Sequence, residues 1–158
     1  MKLSMAVIVF TLVGTACSAQ ETPNINHISG NCGPESHTAE GQIGEDLTIR
    51  QVRYYCNDVG VAYTDQQNGY LMVVFRQQGT GVPPLGFEGH IEERDPKIMD
   101  IEMVYLKTNK PVNATSGMCK LFFEDTGNKL TGIYCGARID AGHHRTVASV
   151  VFNALGSQ

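Results

Sequence analysis

Tryptophan is absent from all 158 residues, and charged side chains make up only 18% of the chain, below the roughly one quarter usual in globular domains. Any aromatic surface must therefore come from Phe, Tyr and His. No apolar run reaches the about 20 residues that a spanning helix needs, so a permanent membrane helix is excluded. No two cysteines stand in the close C-x-x-C spacing of structural zinc sites. G-x-S-x-G is missing too, which removes the nucleophile elbow of serine hydrolases. The formal net charge is −4 and Lys and Arg are scattered, so nucleic acid, whose phosphates call for clustered cations, is not an expected partner. No repeat of 20–50 residues is present, and no motif implies a cofactor.

The amino terminus carries the strongest local signal. Lys2 supplies a charge, Met5 to Val13 a short apolar run, and Gly14 to Ala19 small residues, which is the layout of a secretory signal over residues 1–19. Cleavage after Ala19 leaves Gln20 first. Val13-Gly14-Thr15-Ala16-Cys17 also resembles a bacterial lipobox, with Gly14 where Leu is preferred; the signal then ends at residue 16 and Cys17 carries lipid. The polar stretch from Ser18 to Asn26 suits a tether, and stable anchoring takes at least two acyl chains. Both alternatives are extracytoplasmic: a periplasmic or membrane-anchored lipoprotein, or a secreted protein that touches no membrane. Removing residues 1–19 takes away only Lys2 among charged groups, and −4 less 1 gives −5. The remaining chain of about 140 residues suits one domain and can bury roughly two-thirds of its unfolded surface.

With Cys17 set apart, Cys32, Cys56, Cys119 and Cys135 remain. An even set in an oxidising compartment predicts two disulfides, and four cysteines allow three connectivities.

Residues 20–44 are rich in Pro, Asn and Gly with almost no apolar periodicity, which predicts an irregular amino-terminal arm fastened through Cys32. Residues 45–158 form the expected β-domain, a single antiparallel β-sandwich or small barrel. Its first part, residues 46–57, fits either a strand or a short helix capped by Asp46, with β-branched residues favouring the strand. Val59 to Thr64 and Tyr70 to Gln77 flank an Asn68-Gly69 turn. The five apolar positions Leu71 to Phe75 predict a strand covered on both faces. Gly79 to Gly86 is a loop, Phe87 to Glu92 and Met99 to Lys107 are strands, and Arg145 to Ala154 closes the fold. In the second of those strands Met99, Ile101, Met103 and Tyr105 are expected on one face.

Met118 to Glu124 and Lys129 to Ala137 flank Asp125-Thr126-Gly127-Asn128 and predict a hairpin. A loop over Thr126 to Asn128 sets Cys119 opposite Cys135, Leu121 opposite Ile133 and Phe123 opposite Thr131, all facing the core. The register that buries those apolar groups also joins the two sulfurs. Cys119–Cys135 follows, and Cys32–Cys56 by elimination. Lys120, Phe122, Glu124, Leu130, Gly132 and Tyr134 fall on the other face.

Candidate chemistry is sparse, and no catalytic residue is assigned. Glu88, His90 and Glu92 alternate along one strand face, a set suited to a metal or to acid-base work, with His143 or His144 as further ligands. The same charges also suit a solvated edge that discourages strand addition. Val52-Arg53-Tyr54-Tyr55-Cys56-Asn57 resembles a strand of small bacterial lysozyme-inhibitor lipoproteins; the likeness covers these six residues. The expected function is a non-enzymatic domain that binds a protein partner, such as an envelope inhibitor, an immunity protein or an assembly factor. A metal-binding protein or metal-assisted hydrolase and an apolar-ligand carrier are the alternatives.

Overall fold

The computed structural model describes residues 25–106, 110–127 and 129–156. Residues 1–19, including Cys17, lie outside the described residues. The strands are β1 (Asn26–Cys32), β2 (His37–Gln42), β3 (Val52–Arg53), β4 (Asp58–Asp65), β5 (Tyr70–Arg76), β6 (Leu85–Ile91), β7 (Ile98–Tyr105), β8 (Val112–Asn113), β9 (Ser116–Phe123), β10 (Leu130–Ala141) and β11 (His144–Ala154). All pair antiparallel in one sheet of 11 strands, in the order β1-β4-β5-β6-β7-β9-β10-β11-β2-β3, with β8 on β7. The sheet curls into a ring because β1 divides its pairing: Asn26 to Ser29 face β4, while Gly30 to Cys32 face the end of β11. Such closure removes most open edges without completing a barrel.

Phe75, Phe87 and Phe152 fill the centre, with ring centroids 6.0 Å apart for Phe75–Phe87 and 6.1 Å for Phe75–Phe152. Val59, Val73, Leu85, Met99, Val104, Ile133 and Val150 surround them, all fully buried. Cys119 faces Cys135 across β9 and β10, and this disulfide is part of the core. The second disulfide joins Cys32 to Cys56. Backbone bonds from Cys32 to Cys56 (3.0 Å) and from Gly30 to Asn57 (3.1 Å) run alongside it.

Several expectations need correction. Residues 20–44 are not an irregular arm throughout, because β1 and β2 occupy much of that stretch. Its glycines permit close packing as well as turns: a Cβ at Gly30 would sit 2.3 Å from the Phe152 ring, and one at Gly41 would sit 2.6 Å from Leu47. Residues 46–57 hold one 3-10 turn, Leu47–Arg50, and then the two-residue β3. Asp46 caps that turn by accepting from the Thr48 amide; a hydrogen bond from the Thr48 hydroxyl first, and then the amide bond, hold its carboxyl below its ordinary value. Only Val52 and Arg53 of the six-residue lysozyme-inhibitor likeness are strand.

β5 is central, paired with β4 and β6, but it is not covered on both faces. Leu71, Val73 and Phe75 are buried, while Met72 and Val74 are half-buried outside the ring. In β7, Met99 and Ile101 point inward, but Met103 and Tyr105 do not. The pairing with β6 slips at Glu88/Gly89, leaving Glu102 unopposed, and beyond this bulge Val104 takes the inward place. A second slip, between Leu130 and Gly132, puts Phe123 opposite Leu130 instead of Thr131. The Thr131 hydroxyl then donates to the Phe122 carbonyl.

Tyr54 fastens the segment before β4 to the ring. Its hydroxyl donates to the Phe75 carbonyl (2.8 Å) and accepts from the Leu85 amide (3.1 Å), bridging β5 and β6. Burial pushes this hydroxyl up to about 12, so it keeps its proton and its donor role at neutral pH. Tyr54→Phe leaves both backbone groups short of a partner and is expected to cost about 1–2 kcal/mol, read from urea unfolding. An unchanged midpoint would show that the bridge carries no stability.

Candidate functional site

The outer face of β9, β10 and β11 is an open sheet surface with aromatic and aliphatic side chains. Strand alternation turns Cys119, Leu121, Ile133 and Cys135 inward, which obliges Met118, Lys120, Phe122 and Tyr134 to point outward. The next strand adds Val147, Ser149 and Val151. Phe122 is 44% and Tyr134 38% exposed. Lys120 lies 5.6 Å from the Phe122 ring centroid, a cation–π distance. Glycine at 136 gives the Tyr134 ring its place, since a Cβ there would come within 2.8 Å of the Tyr134 hydroxyl. Beside that ring a shallow hollow of about 460 Å³ is lined by Met118, Tyr134, Gly136, Arg138, Val147 and Ser149.

The charge on this face opposes that of the whole chain. Arg145 donates two hydrogen bonds to Asp140 (2.7 and 2.9 Å), and Arg138 stands 3.5 Å from the same carboxylate. The Arg145 hydrogen bonds, with the charge of both arginines, hold the Asp140 carboxyl below its ordinary value. Lys120, Arg138 and Arg145 against Asp140 give 3 − 1 = +2 on the outward positions of these three strands, in a chain of net −4, and Asp100 of β7 flanks them opposite Met118.

The sequence-derived metal set is placed differently. Glu88 and His90 share the outer face of β6, opposite Met72 and Tyr70. The Glu88 carboxylate accepts from the Thr64 hydroxyl (2.8 Å) and the Tyr105 hydroxyl (2.7 Å). His90 meets the Tyr70 ring edge-on at 5.7 Å. Glu92 lies past the end of β6. His143 occupies the turn between β10 and β11, and His144 opens β11 opposite Gln42. Among the described residues, no three His, Cys, Asp or Glu side chains gather closely enough to hold a metal ion.

His90 and Glu92 instead line an open groove of about 650 Å³ between the β4–β5 turn and the β6–β7 loop, together with Tyr63, Gln66, Gln67 and Glu93. This grouping joins two loops distant in sequence, so no local motif announces it. The outer face of β9–β10 is legible in part, because the hairpin register already separates Lys120, Phe122 and Tyr134 from the core. The contribution of β11 depends on a pairing that periodicity does not specify.

Fold and site define a disulfide-braced antiparallel β-domain with one apolar, cationic sheet face. No protein-family match, no match to a curated protein and no match to a solved structure is found for the chain. Among the described residues, no helix is long and apolar enough to cross a membrane.

Proposed function

We propose that this chain is a non-enzymatic, extracytoplasmic domain that binds a protein partner through the outer face of β9, β10 and β11. The observation that carries the reading is the pairing of half-exposed Phe122 and Tyr134 with a net positive charge on one face of an acidic protein. Aromatic anchors supply most of the binding energy at protein interfaces, and a rim of one sign steers a partner of the other. The partner is therefore a protein with an acidic surface around an apolar centre. Two disulfides hold the strands before binding, which lowers the ordering cost. They also fit an oxidising compartment, in keeping with the secretory signal read in residues 1–19. Within that compartment the periplasm, with or without lipid on Cys17, suits an envelope inhibitor, an immunity protein or an assembly protein.

Retention of a protein from envelope or extracellular extract of the source organism tests this. The oxidised wild type is expected to retain a partner that rising salt releases. The double variant Phe122→Glu/Tyr134→Glu should weaken that retention by about tenfold or more. Both positions are exposed, so the variant's thermal midpoint checks that it folds. Equal retention by variant and wild type, or no retained protein at any salt, would overturn the proposal.

A further inference from the structure

We infer that the groove between the β4–β5 turn and the β6–β7 loop binds a neutral oligosaccharide. Its two walls are fixed before any ligand arrives. Asp65 accepts from the Asn68 side chain (2.6 Å) and from the Asn68 and Gln67 amides (both 3.1 Å), and these bonds, the side-chain one foremost, hold its carboxyl below the ordinary value. The Ile91 amide donates to the Gly69 carbonyl (3.0 Å), tying the turn to the end of β6. Across the groove Asp95 accepts from the Lys97 amide, and the Ile98 amide donates to the Asp95 carbonyl.

These walls are stiffened by backbone and Asx hydrogen bonds, Asn68 being tied to Asp65, whereas five other lining side chains are unused. Tyr63, Gln66, Gln67, Glu92 and Glu93 make no side-chain hydrogen bond or ion pair with other described residues. Their chemistry suits a ligand that is rich in hydroxyls and free of negative charge, which Glu92 and Glu93 would repel. Each sugar hydroxyl donates and accepts at once; the glutamine amides offer both roles, and the carboxylates accept from the donors. Tyr63, 50% exposed at the groove, offers an aromatic face to the apolar side of a pyranose ring. A concave site with a few converging polar groups beside an aromatic wall is the general form of a small-ligand site. The groove lies on β4–β7 and the docking face on β9–β11, so neither proposal rests on the other.

Backbone amide NMR of the oxidised protein tests the inference, with triacetylchitotriose, cellotriose and maltotriose titrated separately to millimolar concentration. Trilysine and zinc serve as comparison probes. At least one trisaccharide is expected to move amide resonances over residues 63–69 and 90–93 and leave those of β9–β11 in place. Tyr63→Ala should weaken that binding by about tenfold, and Gln67→Ala should weaken it as well, with both variants folded. Phe122→Glu/Tyr134→Glu should leave it unchanged. Silence with all three sugars would overturn the inference. So would stronger shifts of the same amides by trilysine or zinc, or sugar binding indifferent to both groove substitutions.

Discussion

Replacing Cys119 and Cys135 together by alanine is expected to cost about 4 kcal/mol, measured as the loss of unfolding free energy in urea. The bridge closes a loop with a sequence separation of 16, and restricting such a loop in the unfolded chain accounts for about 3 kcal/mol. The remainder is a packing loss, because both sulfurs are fully buried among Ile133, Leu121 and their neighbours and alanine leaves their volume empty. The Cys32→Ala/Cys56→Ala variant should lose less, about 3 kcal/mol, although its loop is longer, with a separation of 24. Cys56 is buried but Cys32 is only half-buried, so solvent and side-chain movement can fill part of the space. A domain stable by about 5–15 kcal/mol can lose much of its margin to either change. Equal losses, or a larger loss for Cys32–Cys56, would mean that burial of the Cys119–Cys135 bridge adds nothing to its loop closure.

The Cys119–Cys135 pairing is legible in the amino-acid pattern because two independent requirements agree on one register. Apolar Leu121, Phe123 and Ile133 must face inward, and a short Gly-containing loop must join the strands; both put Cys119 beside Cys135. Alternation and turn chemistry extend over many residues, so they survive local irregularity. Bulges do not have that redundancy. The unopposed Glu102 in β7 reverses the facing of every later residue in its strand, yet it leaves no mark on the apolar pattern, since Met103, Val104 and Tyr105 are all acceptable on either face. The amino-terminal strands are hidden for another reason. Gly30 and Gly41 read as turn formers, but each makes room for a side chain from elsewhere, Phe152 in one case and Leu47 in the other. That role depends on a neighbour supplied by tertiary pairing. The groove is less legible still, because Gln66 and Gln67 have no pattern of their own and meet Glu92 and Glu93 only once β5 and β6 have paired.

The closed ring also explains how one small sheet can carry two separate surfaces. An inward row of Phe, Val, Ile and Leu is shared by all the long strands, so the outward row is released from core duty on each of them. On β9–β11 that row is apolar with cations; on β4–β7 it carries Glu88, Glu102, Tyr70 and His90. Tyr70 donates to Glu102 at 3.1 Å, and that hydrogen bond raises its hydroxyl above the ordinary value. The second surface thus carries internally bonded polar groups, and it ends at the groove, where the side chains of Tyr63, Gln66, Gln67, Glu92 and Glu93 make no hydrogen bond with other described residues. The two surfaces differ in chemistry as well as in position.

Gly89→Ala tests whether the β7 bulge organises that second surface. A Cβ on Gly89 would stand 1.8 Å from the Asp100 carbonyl oxygen and 2.9 Å from the Ile101 Cα, both backbone atoms of the partner strand that no rotamer change can move aside. The β6 and β7 backbones must separate or the bulge must shift. A cost of about 3 kcal/mol or more is expected, at the upper end for an overpacked site. Gly81→Ala, where no atom lies within 4 Å, should stay within about 0.5 kcal/mol of wild type and serves as the control. A second effect follows from register. The bulge turns Tyr105 outward, where burial first and then the hydrogen bond to Glu88 push its hydroxyl up to about 12. Both causes favour the neutral phenol, so the Tyr105 hydroxyl remains protonated through the pH range in which an exposed tyrosine ionises, near about 10. If Gly89→Ala displaces the bulge, Tyr105 loses this setting and its ionisation moves down toward about 10. Spectrophotometric titration against a Tyr105→Phe control reads that change. A variant that keeps both its stability and the high Tyr105 ionisation would show that β6 and β7 accommodate a side chain at Gly89, and that the bulge does not depend on glycine there.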